Sequence, residues 1–498
     1  AEIAIQRQKD EAKLRIPRIT AQKVFSDARQ VHFFDFGAGK TFLGARPVSD
    51  KTLYDKARGF GLGGKDLKGR AWFDEFPLLG GVVNGQDLTF RLDVPDGEYE
   101  VQVVAFGVDW QNVRAVSYKI RCGEQVLVDQ QVTKAEFFSF DGQYYGANLF
   151  FDPAKTLFEQ YHKKYFAPHR FEVKAAGGAV ELAFDGCGPR ALWLYPKAQA
   201  EEGRAFVEAC YGEEDHYLWA NHARVRLHKQ AKTGAAEAGV EPAEADLKRG
   251  YQLFTRSYLY RVYPNDRPAT AELLTAKGLE IVVAPGESEP VTFVVRPLQD
   301  MGVTKVAWTE LACGEHKLPA EAFERFLVKC VPQQAAGSWY EPIPTLLFPY
   351  FDKELKQEWS QQYWLRLRVS PGTPAGVYKG EVSIEPERGE KALIPVAVTV
   401  YPFDLPKTKT ECGMWNNTAF GSHGLDHFKD NADYVTAVLD AEIKDMLDHG
   451  LNGYCFGQPR AVKYDTQNHT VQLDFSHLDQ LAAPMQKRGM PGRHLFSF

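Results

Sequence analysis

Three consecutive residues near the end of the sequence have side chains suited to binding a sugar: Trp415, Asn416 and Asn417. An indole ring stacks on the apolar face of a sugar ring, and carboxamides exchange hydrogen bonds with its hydroxyl groups. They lie at the end of Glu411–Trp415, which is predicted to form a short buried strand. A buried tryptophan followed by two turn asparagines is the structural alternative, and it stays open.

Further candidates lie at or beside the ends of the next two predicted strands, Asn452–Phe456 and His494–Phe498. They are Phe456, Gln458 and His494. In folds that alternate parallel strands and helices, substrate contacts come from the strand ends at one edge of the sheet. We therefore predict a substrate-binding site built from Trp415, Asn416, Asn417, Phe456, Gln458 and His494.

Two predicted helices separate these strands. Apolar residues recur at helical spacing over Asp433–His449, and Gly450 is placed as a C-cap glycine. A second helix is predicted over Phe475–Lys487, with a kink at Pro484. The resulting β-α-β-α-β order is the start of an α/β barrel, which needs about 250 residues. Only about 90 remain, so we expect either that the natural chain continues beyond Phe498 or that this segment packs on something outside this sequence.

The first of these helices carries four acidic residues, which could be mistaken for a catalytic or metal-binding cluster. They fall outside its apolar face, so we interpret them as a solvated surface. They are Asp440, Glu442, Asp445 and Asp448.

Most of the preceding chain has strand-like patterning, with short alternating runs such as Leu88–Val94 and Tyr99–Phe106 bounded by glycine, proline and aspartate turns. The predicted fold class is mainly β, with two β-sandwich domains followed by the first βα units of a barrel. The predicted domains are an arm (1–28), a sandwich (29–200), a helical linker (201–250), a second sandwich (251–406) and an incomplete barrel (407–498).

Two strands of the second sandwich, Glu280–Ala284 and Val291–Val295, flank a turn rich in proline and glycine. Such a turn fits a hairpin or a tight corner between sheets. In the first sandwich, five polar and aromatic residues near predicted loops could form a sugar platform or cover the edge of the core. They are Asp109, Trp110, Asn112, Tyr144 and Tyr145.

The segments Ser370–Gly380 and Val400–Pro406 resemble the sandwich that precedes the catalytic barrel in glycoside hydrolase family 123. Phe34–Gly37, Arg58–Gly61 and Asp93–Tyr99 resemble galactose-binding-like or malectin-like sandwiches of polysaccharide-degrading enzymes. The resemblance implies hydrolysis of a β-linked N-acetylgalactosamine by the substrate's own acetamido group, assisted by an adjacent Asp-Glu pair. Because no position before Phe498 matches that pair, we assign no catalytic residue.

The composition excludes several partners. Among 498 residues, 59 Lys and Arg against 65 Asp and Glu give a net charge of −6, which argues against a nucleic-acid partner. The longest uncharged apolar stretch, Ala392–Phe403, is too short to span a membrane and contains two prolines. The chain contains no recognisable phosphate loop, dinucleotide fingerprint or nucleophile elbow.

We therefore expect no cofactor, with a structural calcium ion kept as an alternative. Seven scattered cysteines lack the spacing of a metal site. The sequence begins with alanine and no leader follows, so either a signal peptide has been removed or the numbering starts inside a longer precursor. We favour the first alternative and expect a mature protein that is secreted, periplasmic or on the cell surface.

Two functions follow from this reasoning. The first is a secreted glycoside hydrolase, N-acetylhexosaminidase-like, whose catalytic pair lies beyond Phe498. The second is a non-catalytic protein that binds glycans or assembles at the cell surface. Both have carbohydrate as the partner, and a homo-oligomer is compatible with either one.

Overall fold

The computed structural model describes residues 18–71, 75–106, 108–109, 114–115, 117–131, 149–164, 166–228, 239–274, 278–405, 410, 412–414, 432–456, 460–474, 476–490 and 495–496. The protein is mainly β, as predicted. It divides into two compact units. One comprises Ala1–Gly107 and Ser117–Leu405, and the other comprises Val108–Val116 and Pro406–Phe498. The finer domain boundaries stay predictions.

The first unit begins with a sandwich of two five-stranded sheets, in the orders β10-β5-β12-β1-β2 and β3-β4-β11-β8-β9. Alternating apolar side chains of both sheets form one core, which includes Phe34, Phe90 and Val101. The strands up to this point, with the separate hairpin β6–β7, are β1 His32–Phe36, β2 Arg46–Val48, β3 Phe60–Ala71, β4 Gly81–Asp93, β5 Gly97–Phe106, β6 Val108–Asp109, β7 Arg114–Ala115, β8 Tyr118–Cys122, β9 Gln125–Gln130, β10 His169–Ala175, β11 Ala179–Asp185 and β12 Gly188–Pro196.

Helix α1, Ala200–Asn221, follows the sandwich, as its apolar spacing predicted. It packs on the outer face of the sheet that contains β12, so eight of the nine β12 residues are buried. The described end of the predicted arm also joins this layer, because Phe25 is buried against Phe206. This second layer explains the continuous apolar run at the end of the first domain. A short helix, α2 Glu244–Arg249, ends at Gly250, whose φ is 92°.

The second sandwich pairs a six-stranded sheet, β13-β21-β20-β23-β16-β14, with a larger sheet of order β15-β25-β24-β17-β22, to which β18 and β19 attach. Its core includes Tyr251, Phe293 and Val398. Its strands are β13 Arg224–Val225, β14 Tyr251–Phe254, β15 Leu279–Val283, β16 Ser288–Pro297, β17 Gly302–Trp308, β18 Leu311–Cys313, β19 His316–Leu318, β20 Phe323–Ala336, β21 Trp339–Pro349, β22 Lys353–Leu355, β23 Gln361–Arg368, β24 Gly376–Pro386 and β25 Ala392–Val400.

The turn after β15 is a corner and not a hairpin, because β15 and β16 belong to opposite sheets. The segment between β23 and β24 makes the same kind of crossing. A long hairpin, β20–β21, was missed from the sequence. Its tip is the pair Gly337 and Ser338, with Gly337 at a φ of 54°.

The second unit contains a three-stranded parallel sheet in the order β26-β27-β30, with one helix between each pair of consecutive strands, as predicted. A barrel is not shown by the residues that the structure describes. The elements are β26 Gly413–Met414, α3 Ala432–Asp448, β27 Gly453–Phe456, β28 Arg460–Asp465, β29 Thr470–Asp474, α4 Ser476–Lys487 and β30 Leu495–Phe496. Among the described helices of both units, none is long and apolar enough to cross a membrane.

Candidate functional site

The carboxyl edge of the parallel sheet is the candidate substrate-binding edge. Its strands end at Met414, Phe456 and Phe496, with Phe456 directly opposite Phe496. Because the strands are parallel, the residues that follow them in sequence start from one edge of the sheet. Binding residues concentrate at this kind of edge in α/β folds.

Of the six predicted substrate-binding residues, one belongs to the described chain. Phe456 is the last residue of β27, and the structure describes only its backbone. Its place at the strand end agrees with the prediction. The others lie outside the described residues: Trp415, Asn416, Asn417, Gln458 and His494.

At the opposite edge, Asn452 holds the first two strands together, a role that the sequence analysis missed. Its Nδ2 donates a hydrogen bond to the Thr410 carbonyl at 3.0 Å, and its Oδ1 accepts one from the Cys412 amide at 2.8 Å. Gly413 lies so close to the next strand that a Cβ atom there would be 2.9 Å from the Gly453 carbonyl oxygen. The Asn-Gly pair at 452–453 is the signal that could have revealed this junction.

The two helices of this unit pack through the apolar face that the sequence predicted. Leu439 and Ile443 of α3 are 2% and 1% exposed, and they share a small core with Met485 near the end of α4. Helix α4 contains Pro484 and runs to Lys487.

Asp440 is partly exposed, and it also has a partner that the sequence did not reveal. Its carboxylate accepts two hydrogen bonds of 2.6 Å from the Arg488 guanidinium, and these join α3 to the residue just after α4. The bonds from Arg488 lower the pKa of Asp440. The exposed Asp445 fits the solvated interpretation, and Asp448 binds Lys444 on the same helix.

A hairpin between β27 and α4 was also missed. Strands β28 and β29 are antiparallel, and Asp465 caps their turn by accepting hydrogen bonds from the amides of Gln467 and Asn468. A hydrogen bond from the Asn468 side chain, followed by these two backbone bonds, lowers the pKa of Asp465. Tyr464 and Val471 lie opposite each other and are 60% and 50% exposed. Two short alternating runs around a polar turn were the available signal.

Two carboxyl groups, one in β1 of the first sandwich and one in α1, have the raised pKa that often marks an active site. Burial raises the pKa of Glu214 to about 8, and burial also raises that of Asp35 well above its usual range. Glu214 accepts hydrogen bonds from the amides of Leu78 at 3.0 Å and Leu79 at 3.3 Å. Asp35 accepts one from the Phe42 amide at 2.8 Å. Because both carboxyl groups bind the backbone inside an aromatic core, we interpret them as structural.

A polar cluster connects the segment after β13 to β21 in the second sandwich. Glu341 accepts hydrogen bonds from Arg226 Nε at 2.7 Å and shares a 3.0 Å contact with His228 Nδ1. The His228 ring stacks on Tyr263, with centroids 3.8 Å apart and planes inclined by 9°. We call these four residues the Glu341 cluster. It combines a buried carboxylate with partly exposed donors. This arrangement holds the segment after β13 against β21.

Only one residue of the sugar platform predicted for the first sandwich is among the residues that the structure describes. Asp109 ends β6, and Trp110, Asn112, Tyr144 and Tyr145 lie outside the described residues. Within the described part of the chain, no group of three His, Cys, Asp or Glu residues could hold a metal ion. Among the cysteines whose side chains the structure describes, six carry free thiols, namely Cys122, Cys187, Cys210, Cys313, Cys330 and Cys412.

Comparison with known proteins gives a distant likeness only. No protein-family model matches the chain, and no curated protein matches it. A solved structure of a family 123 glycoside hydrolase from Clostridium perfringens is 13% identical, with a TM-score of 0.37 over 44% of this chain and 43% of that one. The chain therefore spans less than half of that hydrolase.

Two further solved structures have lower TM-scores. Protein YXIM from Bacillus subtilis is 17% identical, with a TM-score of 0.20 over 33% of this chain and 40% of that chain. A Niemann-Pick type C2 protein from Japanese carpenter ant is 11% identical, with a TM-score of 0.15 over 25% of this chain and 81% of that chain. Likenesses at these identities assign no function to this chain.

Proposed function

We propose that this chain belongs to a secreted carbohydrate-active protein, a glycoside hydrolase, in which two sandwiches precede a catalytic barrel that begins with β26. The observation that carries the proposal is the parallel β-α-β-α-β arrangement of the second unit. In the sequence, Trp415, Asn416 and Asn417 directly follow β26. The indole would stack on a sugar ring, and the two amides would bind its hydroxyl groups.

The proposed reaction is hydrolysis of a β-linked N-acetylhexosaminide. Glycosidic bonds are cleaved by an acid that protonates the leaving oxygen and a group that stabilises or attacks the anomeric carbon. In the proposal, the acid pair belongs to later strands of the barrel, and the residues after β26 and β27 position the substrate. Carboxyl groups perform this chemistry without a cofactor, and any calcium ion would have a structural role.

The test uses the full-length protein purified from its source, assayed for turnover of aryl N-acetyl-β-hexosaminides and for binding on a glycan array. We expect turnover in the wild type. A Trp415→Ala variant should lose about tenfold or more in kcat/KM, equivalent to about 1.4 kcal/mol. The matched control is Tyr464→Ala, which removes an exposed aromatic ring elsewhere in the same unit.

The outcomes separate the two functions. Binding without turnover would overturn the hydrolase and favour a glycan-binding or surface-assembly protein. Equal losses in the Trp415→Ala and Tyr464→Ala variants would remove the assigned role of Trp415. Absence of both turnover and binding would overturn the carbohydrate partner itself.

A further inference from the structure

Two exposed arginines meet over one aromatic ring at an edge of the first sandwich. Arg46 begins β2, and Arg58 lies in the turn just before β3, and these two strands are edge strands of the two sheets. The guanidinium carbon of Arg46 is 5.8 Å from the centroid of the Phe60 ring, and that of Arg58 is 5.7 Å from the same centroid. The two guanidinium groups are therefore separated by no more than the sum of these distances.

Neither guanidinium group forms an ion pair with a carboxylate among the residues that the structure describes. Arg46 makes a 3.4 Å contact with Nδ1 of His32, and Arg58 donates a 3.0 Å hydrogen bond to the Leu53 carbonyl. An arginine side chain has five N–H donors. Both groups therefore retain donors for a ligand that arrives from solvent.

Two carboxylates come near this edge, those of Asp55 and Asp93, and both bind other groups. Asp55 Oδ1 accepts hydrogen bonds of 2.9 and 3.1 Å from two backbone amides of its own turn. Asp93 accepts a hydrogen bond from the Tyr54 hydroxyl at 2.9 Å and one from Arg91 Nε at 3.2 Å. The charges of the two guanidinium groups over Phe60 are therefore not balanced by these carboxylates.

The rings beneath the arginines hold them without neutralising them. Phe60 packs against the buried Phe34, with ring centroids 4.9 Å apart, and Arg46 lies over both rings. A cation over an aromatic face is attracted by the quadrupole of the ring and keeps its full charge. Burial and then the charge of Arg46 lower the pKa of His32 to about 4, so at neutral pH this imidazole is uncharged and accepts from Arg46.

The surrounding segment is basic, in a chain whose net charge is −6. Residues 46–70 contain seven Lys and Arg residues against three Asp residues and no Glu. All seven are exposed, and none of them forms an ion pair within the described part of the chain. A local excess of exposed positive charge attracts an anionic partner and increases the rate at which it associates.

We propose that Arg46 and Arg58 form a binding site for an acidic glycan, in which each guanidinium group binds one carboxylate or sulfate group of the sugar chain. The planar guanidinium group fits either anion, because it offers two parallel N–H donors to two oxygen atoms. The choice of a glycan among anionic polymers rests on the function proposed above. A polysaccharide repeats its charged groups along the chain, which suits two arginines held at one edge.

The test measures the binding of defined oligosaccharides to the full chain by isothermal titration calorimetry. Hyaluronan oligosaccharides carry carboxylates and no sulfate, and keratan sulfate oligosaccharides carry sulfate and no carboxylate. We expect at least one of them to bind, with an affinity that falls as the salt concentration rises. Binding of hyaluronan alone would assign the site to carboxylates, and binding of keratan sulfate alone would assign it to sulfate.

Three substitutions and a matched control locate the site. Arg46→Gln and Arg58→Gln should each weaken the binding of the acidic glycan about tenfold. Arg58→Lys keeps the charge and loses the planar fork, so its loss should be smaller than that of Arg58→Gln. The control is Arg267→Gln, which removes an exposed arginine paired with Glu241 at 2.7 Å in the second sandwich and should leave the affinity unchanged. Circular dichroism checks that each variant is folded.

No binding of either acidic glycan, or equal losses in Arg58→Gln and Arg267→Gln, would overturn the site. Tighter binding of a DNA oligonucleotide of equal charge would overturn the choice of a glycan. Because binding is measured directly, the result is separable from hydrolysis. Binding by a chain that cleaves no aryl N-acetyl-β-hexosaminide would support this site and overturn the hydrolase, whereas turnover without binding of an acidic glycan would overturn this site alone.

Discussion

Gly203 shows how one absent side chain sets the distance between a helix and a sheet. It is buried in α1, and a Cβ atom at this position would lie 2.2 Å from two atoms of the Tyr195 ring in β12. Tyr195 is itself fixed, because its hydroxyl donates a 2.7 Å hydrogen bond to Glu100. The ring therefore has little room to move away, and the close approach of α1 depends on glycine.

The first prediction compares two glycines of α1. Gly203→Ala should lower the free energy of unfolding by about 1–3 kcal/mol, because the new methyl group overpacks the contact with Tyr195. Gly212→Ala, where a Cβ atom would meet nothing within 4 Å, should raise it by up to about 1 kcal/mol through helix propensity. Urea unfolding monitored by circular dichroism gives both values. A neutral or stabilising Gly203→Ala would contradict the packing argument.

The second prediction concerns pH. The pKa of Glu214 is about 8 in the folded protein against an ordinary value of 4.5, so the unfolded chain releases this proton first as pH rises. The stabilising contribution is complete below about pH 4.5 and is lost between there and about pH 8. Its slope is at most about 1.4 kcal/mol per pH unit. Asp35 contributes with the same sign.

Glu214→Gln should flatten this dependence, because the variant cannot ionise at that position. The measurement is the free energy of unfolding in urea at several pH values across that interval. Glu201→Gln, at an exposed position of the same helix, is the control and should keep the wild-type slope. Parallel slopes for wild type and Glu214→Gln would show that this carboxyl group does not titrate as described.

At the scale of elements, the long hairpin β20–β21 explains which strands sequence patterns miss. Prolines interrupt the sequences of both strands. Proline argues against a strand because its backbone nitrogen cannot donate a hydrogen bond to the neighbouring strand. In the structure, Pro332 lies directly opposite Pro342, and Pro344 lies opposite Cys330 at a register shift. The prolines are thus paired with positions that need no donor from them. This depends on pairing across the turn, which a single run does not reveal.

Helices were easier to predict, because a 3.6-residue period is complete within one segment. The spacing of Leu439 and Ile443 located α3 and its buried face. The partner of Asp440 could not be found in the same way, since Arg488 is 48 residues away and its position depends on the packing of α4. Long-range side-chain pairs, including Glu214 with the Leu78 amide, lie beyond pattern reasoning for the same reason.

The third prediction tests whether the Glu341 cluster holds the segment after β13 against β21. Burial alone would raise the pKa of Glu341, but the hydrogen bonds from His228 and Arg226 lower it. Glu341→Gln removes the charge and weakens both bonds, so we expect a loss of about 1–3 kcal/mol in stability. Glu381→Gln, at an exposed position of β24, should change stability little. Hydrogen exchange should also quicken at the Arg226 amide, which bonds to Tyr340.

At the scale of the whole molecule, the sequence predicted the mainly β class and the parallel strand order of the second unit. It did not reveal how strands are shared between sheets, because a turn such as the one after β15 fits a hairpin and a corner equally well in sequence. The candidate binding edge was inferred from strand ends, and Phe456 is its one residue within the description.

The fourth prediction concerns the junction of the two sandwiches in the first unit. Trp359 of the second sandwich packs on Phe151, with ring centroids 5.6 Å apart, and the Lys356–Asp152 pair lies beside it. Trp359→Ala should cost about 3–5 kcal/mol and separate the unfolding of the sandwiches into two calorimetric transitions. Trp364→Ala, at a partly exposed position of β23, is the control. A single, unbroadened transition in Trp359→Ala would refute coupling through this contact.

The tip of the β20–β21 hairpin has a practical consequence for handling the protein. Residues 333–337 are exposed, and the chain reverses at Gly337 and Ser338, where the Ser338 carbonyl accepts a hydrogen bond from the Arg224 amide. Exposed loop tips tolerate inserted peptides well. A biotin-acceptor tag placed between these two residues would immobilise the molecule by its second sandwich.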